Sequence, residues 1–432
     1  MKLKRLLEIT KNEICTGCAM CVSMCPKEAI DLIEDKGIFI PKFIEKKCNN
    51  CGICYKVCPG LEVNFRQLYM EIFRKEPEDK LENILIGNSL CQYIGHSTNH
   101  NIRYNSSSGG MVTQLLIFAL EKGVIDGSLA TRMRKDRPLE PEPFIARTRE
   151  QIIEASKSKY CPVPANIAIK EILKENGKFA VVGLPCHIQG IRKAETLNKK
   201  LREKVILHFG LFCEHTINFL GTEFILQRIN IRREDVLKID YRGRGWPGGM
   251  TIKYKNGKEK IISFHDFCDL AHGSFFFTPL RCTVCSDGTS EFADVSFGDA
   301  WLPELKDNKV GESIVISRTE IGDEILQKAT SNGKIEIIKI GMEKVLESQE
   351  GLRYKKKNIE ARRFILKLLG SNVPEDNPKL LKPSILAYIP AALIYLNLYV
   401  SSEKHLRNLL RYVPWPILKG YSRFTHVLNK RL

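Results

Sequence analysis

Eight of the fifteen cysteines lie in two runs of identical spacing near the N-terminus. The runs cover residues 15–26 and 48–59, and each reads C-x2-C-x2-C-x3-C-P. Four thiolates at this spacing, repeated in a second run, form the ligand pattern of a pair of 4Fe–4S clusters. Because such clusters accept and release electrons one at a time, the runs predict a chain that carries electrons.

The spacing also predicts which cysteines share a cluster. The fourth cysteine of each run precedes a proline, which disfavours the helical region for that residue. In two-cluster modules this cysteine ligates the other cluster. The predicted ligand sets are Cys15, Cys18, Cys21 and Cys58 for one cluster, and Cys48, Cys51, Cys54 and Cys25 for the second.

Zinc and disulfide bonds are the alternatives for these cysteines. Tetrahedral zinc sites use two separated CxxC pairs rather than runs of four cysteines that end in proline. Disulfides belong to oxidising compartments, whereas the opening segment MKLKRLLEIT lacks an apolar stretch long enough for export. We therefore expect iron–sulfur clusters and a cytoplasmic location.

Length and composition indicate several globular domains. The chain has 432 residues, of which 43% are hydrophobic and 27% are charged. Residues 1–65 form a predicted bacterial-type ferredoxin module, and the charged stretch 66–83 a predicted helical linker. From residue 84 short apolar strands alternate with helical patterns, which favours an α/β layout. Residues 342–432 are a basic and then apolar C-terminal extension.

Two cysteines end predicted strands of the α/β region. Segments 178–186 and 205–213 each read as a buried strand that ends at a cysteine, and a helical stretch at about 188–203 joins them. Strands connected in this way are parallel. Cys186 and Cys213 are therefore expected at the same edge of the sheet, where open α/β sheets bind ligands.

A CxxC pair, Cys282 and Cys285, precedes a third apolar strand at 293–299. With Cys186 and Cys213 it makes four thiols, which suit a third 4Fe–4S cluster. The spacing leaves two alternatives open: buried core cysteines in the strands, and a thiol redox pair in the CxxC segment.

A serine–glycine loop is a candidate for binding an anionic cofactor. Ser107, Ser108, Gly109 and Gly110 precede an apolar helix predicted at 111–121. A serine is expected to cap this helix, and the glycines let a ligand approach the backbone at the helix start. An ordinary helix cap is the alternative.

A second glycine-rich loop carries Arg242, Arg244 and Trp246. Guanidinium groups bind carboxylate or phosphate and stack on rings, so the loop suits a planar anionic ligand. A turn between strands is the alternative, because the following segment 251–262 reads as a hairpin. Lys159, taken alone, is expected to be a solvated charge.

These segments resemble a known family. They are NSSSGGM at 105–111, SKY at 158–160, GLPCHIQGIRKAE at 183–195, LFC at 211–213, YRGRGWPGG at 241–249 and RCTVCSDGTSEFADVSFGDAW at 281–301. Together with the ferredoxin module they resemble the coenzyme F420 hydrogenase/dehydrogenase beta-subunit family. The resemblance ends near Asp307.

The resemblance implies a fold class and a set of cofactors. It implies a multidomain α+β and α/β chain, in which the ferredoxin module precedes an α/β flavin and iron–sulfur catalytic domain with two regions, 84–175 and 176–341. It also implies FAD, with the serine–glycine loop and Lys159 at the flavin. The additional 4Fe–4S cluster then falls on Cys186, Cys213, Cys282 and Cys285.

The resemblance further implies an F420-dependent oxidoreductase. A hydride would be exchanged between coenzyme F420 and FAD, and the clusters would lead to a redox partner protein or subunit, or to ferredoxin, in either direction. Two alternatives remain: a ferredoxin-dependent reductase of another substrate on the same scaffold, and a non-catalytic electron-transfer subunit.

The formal net charge of +17 suits an acidic cofactor, an acidic partner or an anionic membrane surface. No nucleic-acid partner is expected, because no zinc-finger, helix-turn-helix or RNA-binding signature is present.

Segment 384–400 is apolar but shorter than the about 20 residues of a spanning helix, and 403–432 mixes basic and aromatic residues. This pattern is typical of a peripheral contact with a membrane surface through 384–432, with helices packed on the body as the alternative.

Overall fold

The computed structural model describes residues 14–269, 273–374 and 376–431, so the basic segment before Ile14 lies outside the described residues. In these ranges the strands are β1 (Ile30–Asp35), β2 (Ile38–Phe43), β3 (Cys91–Ser97), β4 (Gly127–Met133), β5 (Pro141–Ala146), β6 (Phe179–Gly183), β7 (Val205–Leu211), β8 (Val236–Asp240), β9 (Gly249–Tyr254), β10 (Lys258–Ser263), β11 (Val295–Asp299), β12 (Ser313–Ser317) and β13 (Ile335–Lys339). The α-helices are α1 (Met20–Ser23), α2 (Ile53–Lys56), α3 (Phe65–Phe73), α4 (Leu81–Ile86), α5 (His100–Tyr104), α6 (Met111–Glu121), α7 (Arg149–Glu154), α8 (Ile169–Lys174), α9 (Pro185–Leu197), α10 (Lys199–Lys204), α11 (Phe219–Arg228), α12 (Phe264–Phe267), α13 (Leu280–Thr283), α14 (Glu320–Ser331), α15 (Met342–Ser348), α16 (Gly351–Leu368), α17 (Tyr388–Ser402), α18 (Lys404–Leu410) and α19 (Trp415–Arg431).

The two cysteine runs form one small unit with a β-hairpin. β1 pairs with β2 in antiparallel register, and each run contributes one short helix, α1 or α2, between its cysteines. Both helices begin after a left-handed residue, Ala19 (φ 64°) or Gly52 (φ 75°), which occupies the same position in the two runs. The repeat in sequence is therefore also a repeat in backbone conformation.

An eight-stranded mixed sheet forms the centre of the α/β region, in the order β13-β3-β12-β11-β7-β6-β4-β5. β11, β7, β6 and β4 are parallel neighbours, which confirms the parallel pairing expected for β6 and β7. Parallel pairing brings the carboxyl ends of these four strands to one edge. A separate antiparallel sheet, β10-β9-β8, contains the predicted hairpin, whose turn uses left-handed Asn256 and Gly257.

The ferredoxin module and the helices α6 and α14 cover opposite faces of the large sheet. Leu129 and Val181 belong to a buried apolar cluster that includes Met20 of the module. Ala130 and Ala180, their neighbours along the strands, belong to the cluster that contains α6 and α14. Successive residues of a strand point to opposite faces, so the module is packed on the sheet as part of the protein core.

The predicted helical linker 66–83 is two helices. α3 ends at Phe73, and α4 begins at Leu81 after a segment that contains Pro77. A proline disfavours the helical conformation of the residue before it, which explains the interruption. α4 continues to Ile86, beyond the predicted end of the linker.

The C-terminal extension packs on the body through α16, α17 and α19. Asn397 Nδ2 of α17 donates to the Ser274 carbonyl oxygen of the body at 2.7 Å. Within the described ranges one helical segment, Ile385–Ser402, is long and apolar enough by length and composition to cross a membrane, and 39% of it is buried inside the protein. One side of α17 therefore packs on the body, as the alternative interpretation expects. Contact of the extension with a membrane surface stays a prediction.

A buried charge network fastens β7 to its neighbours. The ring nitrogens of His208 lie 2.7 Å from Glu195 Oε1 and 2.9 Å from Asp294 Oδ2. Arg192 pairs with both carboxylates at 3.2 Å. Burial and the charge of Arg192 oppose protonation of His208, yet the two carboxylates outweigh them and raise its pKa. Burial likewise opposes ionisation of Asp294, but Arg192 and His208 hold the pKa of that carboxyl below its usual range.

We expect His208→Leu to lower the free energy of unfolding by about 3–5 kcal/mol below neutral pH, because it leaves two buried carboxylates with one cation. Folding raises the pKa of His208 above its ordinary value of 6.5. Its contribution is therefore present below that ordinary value and is lost as the pH rises through the folded pKa. In urea unfolding at increasing pH, the free energy of unfolding of the wild type should approach that of the variant. A difference between the two free energies that does not change with pH would contradict a charged His208.

Candidate functional site

In the structure the eight cysteines of the two runs form two sets. The members of each set lie close enough to interact electrostatically. The inner set is Cys15, Cys18, Cys21 and Cys58, and the outer set is Cys25, Cys48, Cys51 and Cys54. Burial first, and then the charge of Cys58, raises the pKa of Cys18 to about 11. The grouping is the one that the spacing predicts, and metal ligation by these cysteines stays a prediction.

A third group, the core set, consists of Cys186, Cys213, Cys282 and Cys285. Burial is the main reason that the pKa of Cys186 lies well above its usual range, and the charges of Cys18 and of the other three core-set thiols add to the shift. Asn166 bonds both Cys18 and His187, the residue after Cys186, so the inner and core sets are neighbours. Cys54 of the outer set packs against the buried cluster that contains Cys58 of the inner set. The three sets therefore lie in the order outer, inner, core.

The chemistry of each set fits a four-iron cluster. Within the described residues, no three His, Cys, Asp or Glu side chains converge closely enough to hold a single metal ion. All the cysteines are free thiols. A 4Fe–4S cluster places each thiolate on a different iron atom, so its ligands stand further apart than those of one ion. Sets of four separated thiols therefore suit 4Fe–4S clusters better than zinc.

Asn166 joins the inner set to the core set. Its backbone N–H donates to the Cys18 carbonyl oxygen at 3.0 Å, and its side-chain Nδ2 donates to the His187 carbonyl oxygen at 3.0 Å. Ser23 Oγ of the module donates to the Asn166 carbonyl oxygen at 2.6 Å. Asn166 is fully buried. Sequence reasoning missed it, because no local pattern marks a residue that joins segments so distant in the chain.

His187 is a packed residue at the start of α9. Its Nδ1 accepts from the Leu184 backbone N–H at 3.1 Å, and its Nε2 lies 3.0 Å from the Val163 carbonyl oxygen. Burial lowers the pKa of His187 to about 4. Both ring nitrogens are thus engaged by the backbone, which orients the helix turn that carries Cys186.

Lys355 of the C-terminal extension reaches the loops that carry the core set. Its Nζ donates to the carbonyl oxygens of Cys213 at 2.7 Å, Glu214 at 2.8 Å and Asp287 at 3.2 Å. The side chain is buried. The extension therefore places a positive charge beside the core set, a contact that sequence reasoning did not predict.

A second group of contacts is centred on Arg242. Its guanidinium, 1% exposed, donates to Tyr160 Oη at 3.1 Å, to the Ser107 carbonyl oxygen and to Asp299 Oδ2 at 2.9 Å. Ser107 Oγ in turn accepts from the Ser158 backbone N–H at 2.7 Å. The arginine that was predicted to grip a ligand is engaged by the protein itself, and it fastens the serine–glycine loop to the end of β11.

The predicted serine cap of α6 is wrong. The residue before the helix is Gly110, at a left-handed φ of 74°, and no side chain caps the first turn. Ser108 Oγ instead hydrogen-bonds Ser313 Oγ of β12 at 2.9 Å. A Cβ on Gly109 would lie 2.5 Å from the Gly95 carbonyl oxygen. Glycine is therefore required there because the loop packs directly on β3.

Arg244 and Trp246 make separate contacts. Arg244 pairs with Glu259 of the β9–β10 hairpin at 2.7 Å, and its side chain is 46% exposed. Trp246 is buried and packs on Trp301 with ring centres 4.7 Å apart. Arg242, Arg244 and Trp246 thus have different partners within the protein, and their contact with a ligand stays a prediction.

A cavity of about 700 Å³ opens beside Lys159, between the end of β4 and β8. Other basic side chains that line it are Arg132, Arg134, Lys135, Arg149, Lys157 and Lys238. Glu154 and Asp240 also line it, and each of these six basic side chains is paired with a carboxylate in or beside the cavity. Lys159 Nζ donates to the carbonyl oxygens of Ser156 and Lys157 at 2.8 Å, and burial lowers its pKa to about 7. Of the predicted cofactor contacts, Lys159 alone lines this cavity.

Three family models match the chain. The 4Fe-4S dicluster domain matches residues 14–60, and the N-terminal and C-terminal models of the coenzyme F420 hydrogenase/dehydrogenase beta subunit match 92–170 and 176–343. Coenzyme F420 hydrogenase subunit beta of Methanothermobacter thermautotrophicus is 31% identical over 281 residues, which cover 62% of this chain and 92% of that protein. The chain belongs to the coenzyme F420 hydrogenase/dehydrogenase beta-subunit family.

Two further relatives of this beta-subunit family member are informative. A chain in a solved structure of the F420-reducing NiFe hydrogenase complex from Methanosarcina barkeri matches with a TM-score of 0.52 and 26% identity, over 68% of this chain and 98% of that chain. The coenzyme F420-dependent sulfite reductase of Methanocaldococcus jannaschii is 26% identical over 340 residues, 74% of this chain and 47% of that protein. The resemblance predicted from the motifs is confirmed, and the family and the dicluster domain together identify an electron-transfer oxidoreductase.

In this beta-subunit family member, Arg242 connects the two matched family regions. Ser107 and Tyr160 belong to the N-terminal match, and Arg242 and Asp299 to the C-terminal one. The hydrogen bonds of one guanidinium therefore hold together segments that the sequence separates widely.

We expect Arg242→Met to lower the free energy of unfolding by about 3 kcal/mol, because Asp299 and three further acceptors, the Pro247 carbonyl oxygen among them, lose their donor. Arg244→Met, in the same loop, is the matched control and should cost about 0–1 kcal/mol, because its ion pair is exposed. Urea unfolding followed by circular dichroism measures both. Equal losses in the two variants would contradict the fastening role of Arg242.

Proposed function

We propose that the chain is a flavin and iron–sulfur oxidoreductase that transfers electrons between coenzyme F420 and a partner protein or ferredoxin. The observation that carries the proposal is the row of core, inner and outer cysteine sets. Asn166 bonds Cys18 of the inner set and His187, the residue after Cys186. Cys54 of the outer set packs against the buried cluster that contains Cys58 of the inner set. Three clusters held in such a row would conduct single electrons between the edge of the large sheet and the protein surface.

The cavity beside Lys159 supports the inference that FAD is the cofactor. FAD, when bound, supplies the conversion of a two-electron hydride exchange into single-electron transfers. The cavity volume of about 700 Å³ lies in the usual range for cofactor sites, and a pyrophosphate could replace carboxylates as the partner of its basic side chains. β4 ends at the cavity and β6 ends next to Cys186, and these strands are parallel neighbours. The cavity and the core set therefore share one edge of the sheet.

The residues of the chain would bind and orient the cofactors. The basic side chains of the cavity would hold phosphate groups, and Arg242 would keep the serine–glycine loop beside Ser158, which lines the cavity. Hydride exchange between two flavin-type rings needs no protein side chain as a base, so we assign no catalytic residue.

Two other functions are supported by particular comparisons. A reductase of another substrate on the same scaffold is supported by the similarity to the F420-dependent sulfite reductase. A non-catalytic electron-transfer subunit is supported by the matching chain in a hydrogenase complex.

Assay of the purified chain distinguishes the three functions. We expect bound flavin together with reduction of a viologen dye by reduced coenzyme F420, because the cofactors, once bound, carry the exchange without another subunit. Flavin without F420-driven reduction would instead support the reductase of another substrate. A chain that binds no flavin would support the electron-transfer subunit.

Iron quantitation tests the core set directly. We expect about twelve irons per chain, and about eight in Cys186→Ala, because the inner and outer sets keep all their thiolates. F420-driven dye reduction should also be lost in this variant. Cys91→Ser is the matched control, because Cys91 lies on β3 outside the three sets, and it should retain all its iron. About eight irons in the unaltered chain would refute a core-set cluster.

A further inference from the structure

The outer set reaches the protein surface. Cys51 is exposed and the other three members of the outer set are partly exposed, whereas Cys18 and Cys58 of the inner set are buried. In the row of cysteine sets, the outer set is therefore the one that a protein in solution can approach most closely.

Exposed lysines surround the outer set. Lys27, Lys46, Lys47 and Lys56 each lie within two residues of an outer-set cysteine in the sequence, and all four are exposed. Glu28, the acid beside Lys47, is paired with Lys170. Glu45, beside Lys46, is a second exposed acid. A loaded outer-set cluster would add about two negative charges, so the four lysines form a positive rim around Cys51 with a small net excess.

We propose that an acidic redox protein binds to this docking face, formed by Lys27, Lys46, Lys47 and Lys56 around Cys51, and exchanges electrons with the outer set. The proposal rests on the proposed function, which supplies the electrons. In each encounter one electron leaves the reduced partner and enters the oxidised one, with no bond made and no proton moved. Opposite charges raise the rate of encounter and orient the two proteins.

The docking face is polar, which favours an acidic protein over a membrane. Among the described residues of the module, 14–65, Ile33 is the large apolar side chain that is exposed, at 38%, and it lies on β1. Insertion at a membrane surface needs an apolar helix face. Transient electron-transfer contacts instead use small interfaces whose charge complementarity sets the encounter.

Binding of a purified acidic ferredoxin to the iron-loaded chain tests the proposal. Calorimetry under anaerobic conditions would measure the Kd at low and at high salt, and we expect weaker binding at high salt because salt screens opposite charges. Reversal of two charges in K46E/K47E should weaken binding at low salt by about tenfold or more. The same ferredoxin with its surface carboxylates amidated should bind equally weakly to the wild-type chain and to K46E/K47E.

A second double variant controls for net charge. K122E/K339E changes the charge by the same amount at exposed positions after α6 and on the edge strand β13. It should leave the Kd within about twofold, because charges beyond a Debye length are screened. Equal weakening by both double variants, or a Kd that does not change with salt, would overturn the docking face.

Two further measurements keep the test decisive. Iron content and visible absorption show that the outer set of each variant is loaded; if K46E/K47E loses iron, K46Q/K47Q takes its place, with a smaller expected weakening. The binding readout uses no coenzyme F420. A failed F420 assay therefore counts against the proposed function alone, and absent ferredoxin binding counts against the docking face alone.

Discussion

The contact between the ferredoxin module and the first turn of α9 is the constraint on which the proposed electron path depends. Clusters at the inner and core sets would exchange electrons only if the protein held the two sets at a fixed separation. Asn166 provides two of the bonds that fix this separation, one to Cys18 and one to His187. Because Asn166 is fully buried, losing either bond would leave a buried polar group without its partner. Gly190 permits the close approach, since a Cβ there would lie 3.0 Å from Asn166 Nδ2 and 3.4 Å from Met20 Cβ.

The topology of the large sheet explains why distant segments meet at this contact. β4, β6, β7 and β11 are parallel neighbours, so their carboxyl ends share one edge. Met133 of the cavity ends β4, Cys186 and Cys213 follow β6 and β7, and Asp299 ends β11. Open α/β sheets bind ligands at this edge because the loops there are free to carry different side chains. The cavity, the core set and the Arg242 contacts are therefore parts of one edge.

Local sequence patterns predicted the helices, the strands and the cysteine sets. The remaining contacts of the site join residues that are far apart in the sequence, and local patterns did not predict them. The apolar runs of β6 and β7 and the apolar helix α6 follow from periodicity, and the inner and outer sets follow from cysteine spacing. The serine cap failed because Ser108 bonds Ser313, a strand residue that no local rule connects to it. Asn166 and Lys355 were missed for the same reason: their partners lie far away in sequence.

The C-terminal extension contacts the loops of the core set although the family match ends at residue 343. Lys355 holds three backbone carbonyl oxygens of the loops around the core set, and Lys356 is paired with buried Glu291 of the same region. A 4Fe–4S cluster with four thiolates is negatively charged, and reduction makes it more so. If the core set holds a cluster, as proposed, a buried ammonium beside it would stabilise the reduced form and raise its reduction potential. The extension would thereby influence how readily an electron resides at the core set, in either direction of electron flow.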